Sequence, residues 1–305
     1  AKEIHTALYS TMKLLFDNVI IIPGMKNYFI ASDGFLSSDI KELTRQKKIN
    51  SDYVNPIYLD NELIRQRREK IEKLIAEDVI INYDLIPVTF HNKLHNRIKS
   101  YNANILIIAL ILISSVFLVI RMKVVSFGLF STGFSASSLM ILLIITFQIM
   151  FGYVYFMIGI FFTVFMMGIL TGVSWIHRKV SVSMKNFSLI QYLIGILSVI
   201  IPIVLININT QQPVNFVVQS VFILLLYFIG LLTGLQFSLG SVLRKETIGV
   251  TASGIYGADL LGGAMGALLV SVVLIPYFGL IKVCLILGIL NFLTGLLILY
   301  RSTSR

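Results

Sequence analysis

Acidic residues are scarce through most of this chain: of 15 Asp+Glu in 305 residues, only Glu246 and Asp259 follow residue 102. Charged residues of both signs make up 13% of the whole, against about 25% in ordinary globular domains. With 56% hydrophobic residues and a mean hydropathy of +0.87, this excludes an ordinary soluble protein. Cysteine is nearly missing. Cys284 stands alone, so neither an intramolecular disulfide nor a cysteine-based zinc cluster is possible. The start, AKEIHTALYSTMKLLF, has no initiator Met and no apolar core of the signal-peptide kind. It reads as the interior of a longer chain, entered partway through a domain.

What charge there is falls unevenly. Residues 1–102 hold 15 of the 25 Lys+Arg and 13 of the acids, and are nearly neutral. The other ten basic residues lie mostly in short links between apolar runs, so the net charge of +10 reflects membrane topology rather than a nucleic-acid surface. A soluble piece, 1–102, precedes a multispanning piece, 103–305, whose expected partner is the lipid bilayer.

In the soluble piece, Ile4, Ala7, Leu8, Met12, Leu15 and Phe16 share a helical face, which predicts a helix over 3–16. The apolar runs 18–22 and 27–31 flank Pro23-Gly24 and predict a β-hairpin. Ser37 or Ser38 is placed to cap a helix running to about Lys48. Residues 63–76 predict a charged helix with Ile64, Ile71, Leu74 and Ile75 as its apolar stripe. Its alternating Arg65, Arg67, Arg68, Lys70, Lys73 and Glu62, Glu69, Glu72, Glu77 read as a solvated face. This is too little sheet to close a core, so the segment reads as the last third of an α/β domain.

Apolar runs at about 103–120, 124–150, 154–176, 187–207, 215–241, 252–275 and 279–300 each approach or exceed the roughly 20 residues a crossing needs. Seven membrane helices are therefore expected. Arg121, Lys123, Arg178, Lys179, Lys185, Arg244, Lys245, Arg301 and Arg305 fall in every second connection and at the C-terminus; the intervening loops carry only Lys282. The positive-inside rule puts the first set and the C-terminus in the cytoplasm. Seven crossings would then leave residues 1–102 outside, unless 103–120 does not cross fully.

Within the membrane piece, Gly254, Ala258, Gly262 and Gly266 form one small-residue ridge, and Asp259, Gly263, Ala267 and Ser271 form its neighbour. Such a face lets another backbone approach closely in lipid. Gly168 with Gly172 and Gly230 with Gly234 form two further GxxxG ridges, within GILTG and GLLTG, and mark either an internal repeat of helix pairs or chance recurrence. Asp259 is the sharpest chemical candidate, because a carboxylate inside a span costs about 2.5–3.5 kcal/mol and usually faces a bundle interior. Two roles fit it: binding a cationic substrate or proton, or capping and ion pairing near Arg244 and Lys245. Gln148, Gln236, Asn291 and Tyr256 line a polar pathway with it or bridge helices by hydrogen bonds. His91 and His95 are four apart with no third ligand at diagnostic spacing, so no metal is expected. Lys93, Arg97 and Lys99 suit lipid headgroups.

The order LYSTMKLLFDNVIIIPGMKNYFIASDG, then DYVNPIYL (52–59), then INYDLIPVTFHNKL (81–94), resembles the C-terminal end of the spermidine-synthase-like domain of bacterial membrane-bound spermidine-synthase-like proteins. FSTGFSASSLMILLIITFQIMFGYVYFMIG (130–159) and YGADLLGGAMGALLVSVVLIPYFGL (256–280) resemble two signature regions of their membrane part, so the likeness covers nearly the whole chain. Met140 stands where that family commonly has an acid, and Ser238 where it has a Pro. The resemblance implies a class I methyltransferase-like Rossmann domain whose last strands are the hairpin. Tyr53, Asn55, Pro56, Tyr58 and Asp84 match the family's late motifs and are expected to brace the end of the domain, and the resemblance implies a bacterial inner-membrane location. For the intact protein it implies aminopropyl transfer from decarboxylated S-adenosylmethionine to a diamine. The glycine-rich loop and catalytic acids of that family have no counterpart here, so no catalytic residue and no cofactor site is expected in this chain. The competing expectation is a transporter or exporter of polyamines or related metabolites; a third makes the helices only an anchor.

Overall fold

The computed structural model describes residues 2–24, 26–49, 60–75, 81, 119–152, 155–179, 181–207, 216–244 and 248–303. The chain divides into two units, Ala1–Ser100 and Tyr101–Arg305.

In the first unit, α1 (Lys2–Leu15) and α3 (Asn61–Ile75) pack on a hairpin of β1 (Asn18–Ile22) and β2 (Tyr28–Ser32), and α2 (Ile40–Gln46) precedes α3 in the chain. The strands are antiparallel, with Asn18 opposite Ser32 and Ile22 opposite Tyr28. Thr6, Ala7, Ile21 and Ile75 bury the small core. Asp39, rather than Ser37 or Ser38, caps α2: its carboxylate accepts from the Glu42 amide at 3.0 Å, which holds the carboxyl below its usual range. Asp60 is the side-chain cap of α3, accepting from the amides of Glu62 at 3.0 Å and Leu63 at 3.2 Å. Of the stripe expected on α3, Ile64, Ile71 and Ile75 turn inward, whereas Leu74 is exposed. The described strands number two, and residues 52–59 and 82–94, with Tyr53, Asn55, Pro56, Tyr58, Asp84, His91 and His95, lie outside the described residues, as do Lys93, Arg97 and Lys99.

The second unit is a membrane-type helical bundle of α4 (Val124–Phe151), α5 (Tyr155–Lys179), α6 (Met184–Asn207), α7 (Phe216–Leu243), α8 (Ile248–Leu269) and α9 (Ile275–Thr303). Five stretches are long and apolar enough to cross a bilayer, the last being Ser253–Arg301 with 49 residues. That length is about twice a single crossing. A π-helical turn, Val270–Leu274, and then Gly279 at φ 76°, ψ 168° interrupt it. The packing direction shows that the chain reverses there. Gly262 and Gly266 of α8 lie on Phe130 and Phe134, parallel to α4, whereas Asn291 and Thr294 of α9 meet Ser135 and Ser131, antiparallel to it. The described residues therefore make six alternating passes; the expected first span, 103–120, lies outside them apart from its last two residues.

Neighbouring contacts set the directions of the other helices. Gly168 and Gly172 of α5 pack on Tyr227 and Leu231 of α7, so these two run parallel. Leu129 meets Gly240, and the Phe147 ring stacks edge-on to Phe222 at 5.4 Å, so α4 and α7 are antiparallel. Ser188 donates to the Gly295 carbonyl at 2.8 Å, which sets α6 against α9. One end of the bundle thus collects the starts of α4, α6 and α8 and the ends of α5, α7 and α9. Arg121, Lys123, Lys185, Arg244 and Arg301 all belong to this basic end. The opposite end is aromatic, with Phe147 against Phe151, Phe161 and Phe222 at 4.4–5.4 Å between ring centres.

Gly262 and Gly266 of one ridge, and Asp259 and Gly263 of its neighbour, face α4, whereas Gly254 packs under Arg244 and Ser271 is exposed. A Cβ at Gly262 or Gly266 would collide with the carbonyl oxygen of Phe130 or Phe134. The GILTG and GLLTG ridges are partners in one interface: Gly168 and Gly172 approach the α7 backbone while Gly230 and Gly234 approach Phe165 and Ile169 of α5. Gly257, one residue off the ridge, has open space where its Cβ would lie. Gly262→Leu should therefore lower stability by about 1–3 kcal/mol, the ordinary range for overpacking, and Gly257→Leu should not. Thermal melting of the two variants in detergent checks this.

Candidate functional site

Two polar features flank α4. On one flank, Gln191 of α6 is fully buried and joins four helices. Its Oε1 accepts from Gln236 Nε2 of α7 at 2.8 Å and from Thr132 Oγ1 at 3.1 Å. Its Nε2 donates to Asn291 Oδ1 of α9 at 2.6 Å and to Ser131 Oγ at 3.2 Å. Asn291 in turn donates to Ser135 Oγ at 2.7 Å and to the carbonyl of Leu287 at 2.7 Å, and Thr294 donates to Ser131 Oγ at 3.2 Å. Gln191, Gln236 and Ser131 each sit two turns inside their helices, so this cluster begins about 10 Å from the basic end and reaches toward the bundle centre. One atom in it is unsatisfied: Gln236 Oε1 is buried and accepts no hydrogen bond.

On the other flank, the Asp259 carboxyl lies against the backbone of Gly133, where a Cβ would come within 2.7 Å of its Oδ1. Gly133 therefore makes the space that Asp259 occupies. The Arg244 guanidinium sits elsewhere, over Gly254 and donating to Ser126 Oγ at 2.7 Å, more than a turn before Asp259 along α8. Among the described residues no hydrogen bond or ion pair reaches the half-buried Asp259 carboxyl. The ion pair with Arg244 is not formed, and Lys245, the other partner expected, lies outside the described residues. At the basic end itself, Arg121, Lys123, Ser126, Arg244 and Ser253 line a cavity of about 460 Å³ floored by Gly254, Gly257 and Ala258.

The residues expected to share a pathway divide accordingly. Gln236 and Asn291 meet through Gln191, with Ser131, Thr132, Ser135 and Thr294 completing the cluster. Asp259 stands across α4 from them, Tyr256 is 58% exposed and Gln148 lies exposed near the aromatic end. Sequence reading missed Gln191, although a glutamine inside an apolar run carries the same signal that marked Gln236. Met140 and Ser238 are both buried, within α4 and α7. No protein-family model, curated protein or solved structure matches this chain.

Replacing Gln191 strips partners from several buried groups at once, at about 1–3 kcal/mol for each group left unpaired. Gln191→Met should therefore depress the melting temperature clearly, whereas Gln148→Met should leave it within error. Differential scanning fluorimetry of the purified variants separates the two.

Proposed function

We propose that the membrane unit is a carrier for a small cationic metabolite of the polyamine class, with its basic end and C-terminus on the cytoplasmic side of a bacterial inner membrane. The observation that supports this reading is Asp259, a carboxyl group inside a span, held over Gly133 with no hydrogen bond or ion pair from the other described residues. A carboxylate kept in lipid at a cost of about 2.5–3.5 kcal/mol, and not spent on an ion pair, suits reversible pairing with a proton or an ammonium group. The basic end supports the orientation, because Lys and Arg concentrate in cytoplasmic connections. In proteoliposomes, the chain should move labelled putrescine or spermidine, and Asp259→Asn should cut the rate at least about tenfold, the loss of roughly 1.4 kcal/mol of interaction. Undiminished flux in Asp259→Asn at normal protein levels would count against the assignment.

A second reading places this chain in a longer spermidine-synthase-like protein that transfers aminopropyl groups from decarboxylated S-adenosylmethionine, with the membrane helices as anchor. It is favoured by the motif resemblance and by the β1–β2 hairpin, which falls where that resemblance puts a closing strand pair. On this reading residues 1–305 alone bind no nucleoside and turn over no putrescine. Equilibrium dialysis with labelled nucleoside and a product assay check both.

A further inference from the structure

The six described passes repeat one packing scheme in opposite orientation. In α5 and α7, Gly168 and Gly172 lie on the carbonyl oxygens of Tyr227 and Leu231; in α8 and α4, Gly262 and Gly266 lie on those of Phe130 and Phe134. The spacing is identical within each set, so α5 corresponds to α8 and α7 to α4. The reverse contacts obey the same register. Gly230 meets the Phe165 carbonyl and Gly133 meets that of Asp259; Gly234 meets Ile169, and its counterpart Ser137 meets Gly263. The third helix of each half, α6 and α9, pairs with its own counterpart. A Cβ at Gly195 would lie 3.3 Å from the Gly288 carbonyl oxygen and 3.2 Å from Phe292. A Cβ at Gly288 would lie 3.3 Å from the Gly195 carbonyl oxygen and 2.8 Å from Val199. Val199 and Phe292 are four residues beyond Gly195 and Gly288, respectively. A contact that maps onto itself in this way marks a two-fold axis passing between those glycines.

We infer that 124–207 and 216–303 are inverted copies of one three-helix unit, related by an axis lying in the membrane plane, and that the Gln191–Gln236–Asn291 cluster beside it binds a small N–H-donating solute. Because α4 and α7 run in opposite directions, the axis cannot lie along the membrane normal. Halves of this kind rock against each other around a site at their interface. Gln191 and Asn291 stand about one turn from Gly195 and Gly288, both toward the basic end. Their counterparts across the axis are Cys284 and Ser198, and Ser198 spends its hydroxyl on the Ile194 carbonyl of its own helix at 2.8 Å. Gln236 corresponds to Leu139, which is fully buried. The scaffold is symmetric, but its chemistry is not: amides lie on the basic side of the axis and apolar or self-satisfied groups on the other.

A purely structural role does not account for Gln236. An interhelical hydrogen bond in a membrane contributes about 0.6 kcal/mol on average, less than the roughly 1–3 kcal/mol cost of a buried acceptor without a donor. The vacant Gln236 Oε1 is instead the acceptor that a solute ammonium or amide N–H requires. The inference deepens the carrier reading and rests on it for the rocking motion, though not for the site.

The experiment uses the full chain in lipid nanodiscs with labelled putrescine as probe. Wild type should bind it, and Gln236→Met, which keeps length and volume, should weaken binding at least tenfold with melting unchanged. The native Cys284, buried beside the axis on the far side, reports the motion without mutation. In proteoliposomes, saturating putrescine should change its labelling rate by a membrane-impermeant thiol reagent at least tenfold. Wild-type affinity in Gln236→Met, no putrescine binding by wild type, or Cys284 labelling indifferent to putrescine would each overturn the inference. Flux that survives Gln236→Met leaves the carrier standing and removes this site. Binding lost in Gln236→Met without any flux in wild type removes the carrier and keeps the site.

Discussion

Backbone meeting backbone across glycine is the interaction on which the membrane unit depends. In lipid there is no water to expel between apolar helices, so association relies on dispersion contacts and interhelical hydrogen bonds. Both strengthen steeply as axes approach. At Gly262 and Gly266, and again at Gly168 and Gly172, the missing side chain lets a neighbouring carbonyl oxygen occupy the place of a Cβ. These two contacts join helices that run parallel, which consecutive short hairpins cannot supply. They therefore tie distant parts of the chain together and fix the order of the bundle.

Once those pairs are set, polar chemistry is confined to the surfaces they leave. Ser131, Thr132 and Ser135 project from α4 away from α8, where side chains of α6 and α9 bond them. Gln191 reaches all of these elements because it carries a donor and an acceptor at the end of a long side chain. Asp259 is left on the glycine side, packed on the same helix but separated from the amides by its width. One helix thus carries two polar environments on opposite flanks, one rich in hydrogen bonds and one holding a carboxyl that no other described residue pairs with.

The break at Gly279 has a comparable effect. A positive φ there breaks a long apolar stretch and turns the rest of α9 back across the bundle. Without that reversal Asn291 could not meet Gln191, and the two halves would not present equivalent faces. Asymmetry then enters through side chains alone, since the counterpart of Gln191 is Cys284 and that of Gln236 is Leu139.

Much of this was legible in the chain itself. Helix positions follow from apolar run length, the hairpin from Pro23-Gly24, the basic end from Lys and Arg in alternate connections, and the close-packed face of α8 from glycines four apart. These are local or additive properties, so composition and period carry them. Partner choice is neither. GILTG and GLLTG look like repeats of each other and are in fact two sides of one contact, while the true counterpart of Gly168 is Gly262. Asp259 lies near Arg244 in sequence, yet more than a turn of helix separates them in space. Which ridge meets which, and whether Gln191 or Asp259 joins the polar cluster, depends on helix direction and rotation. Those are set by the whole bundle's packing, and only the tertiary structure decided them.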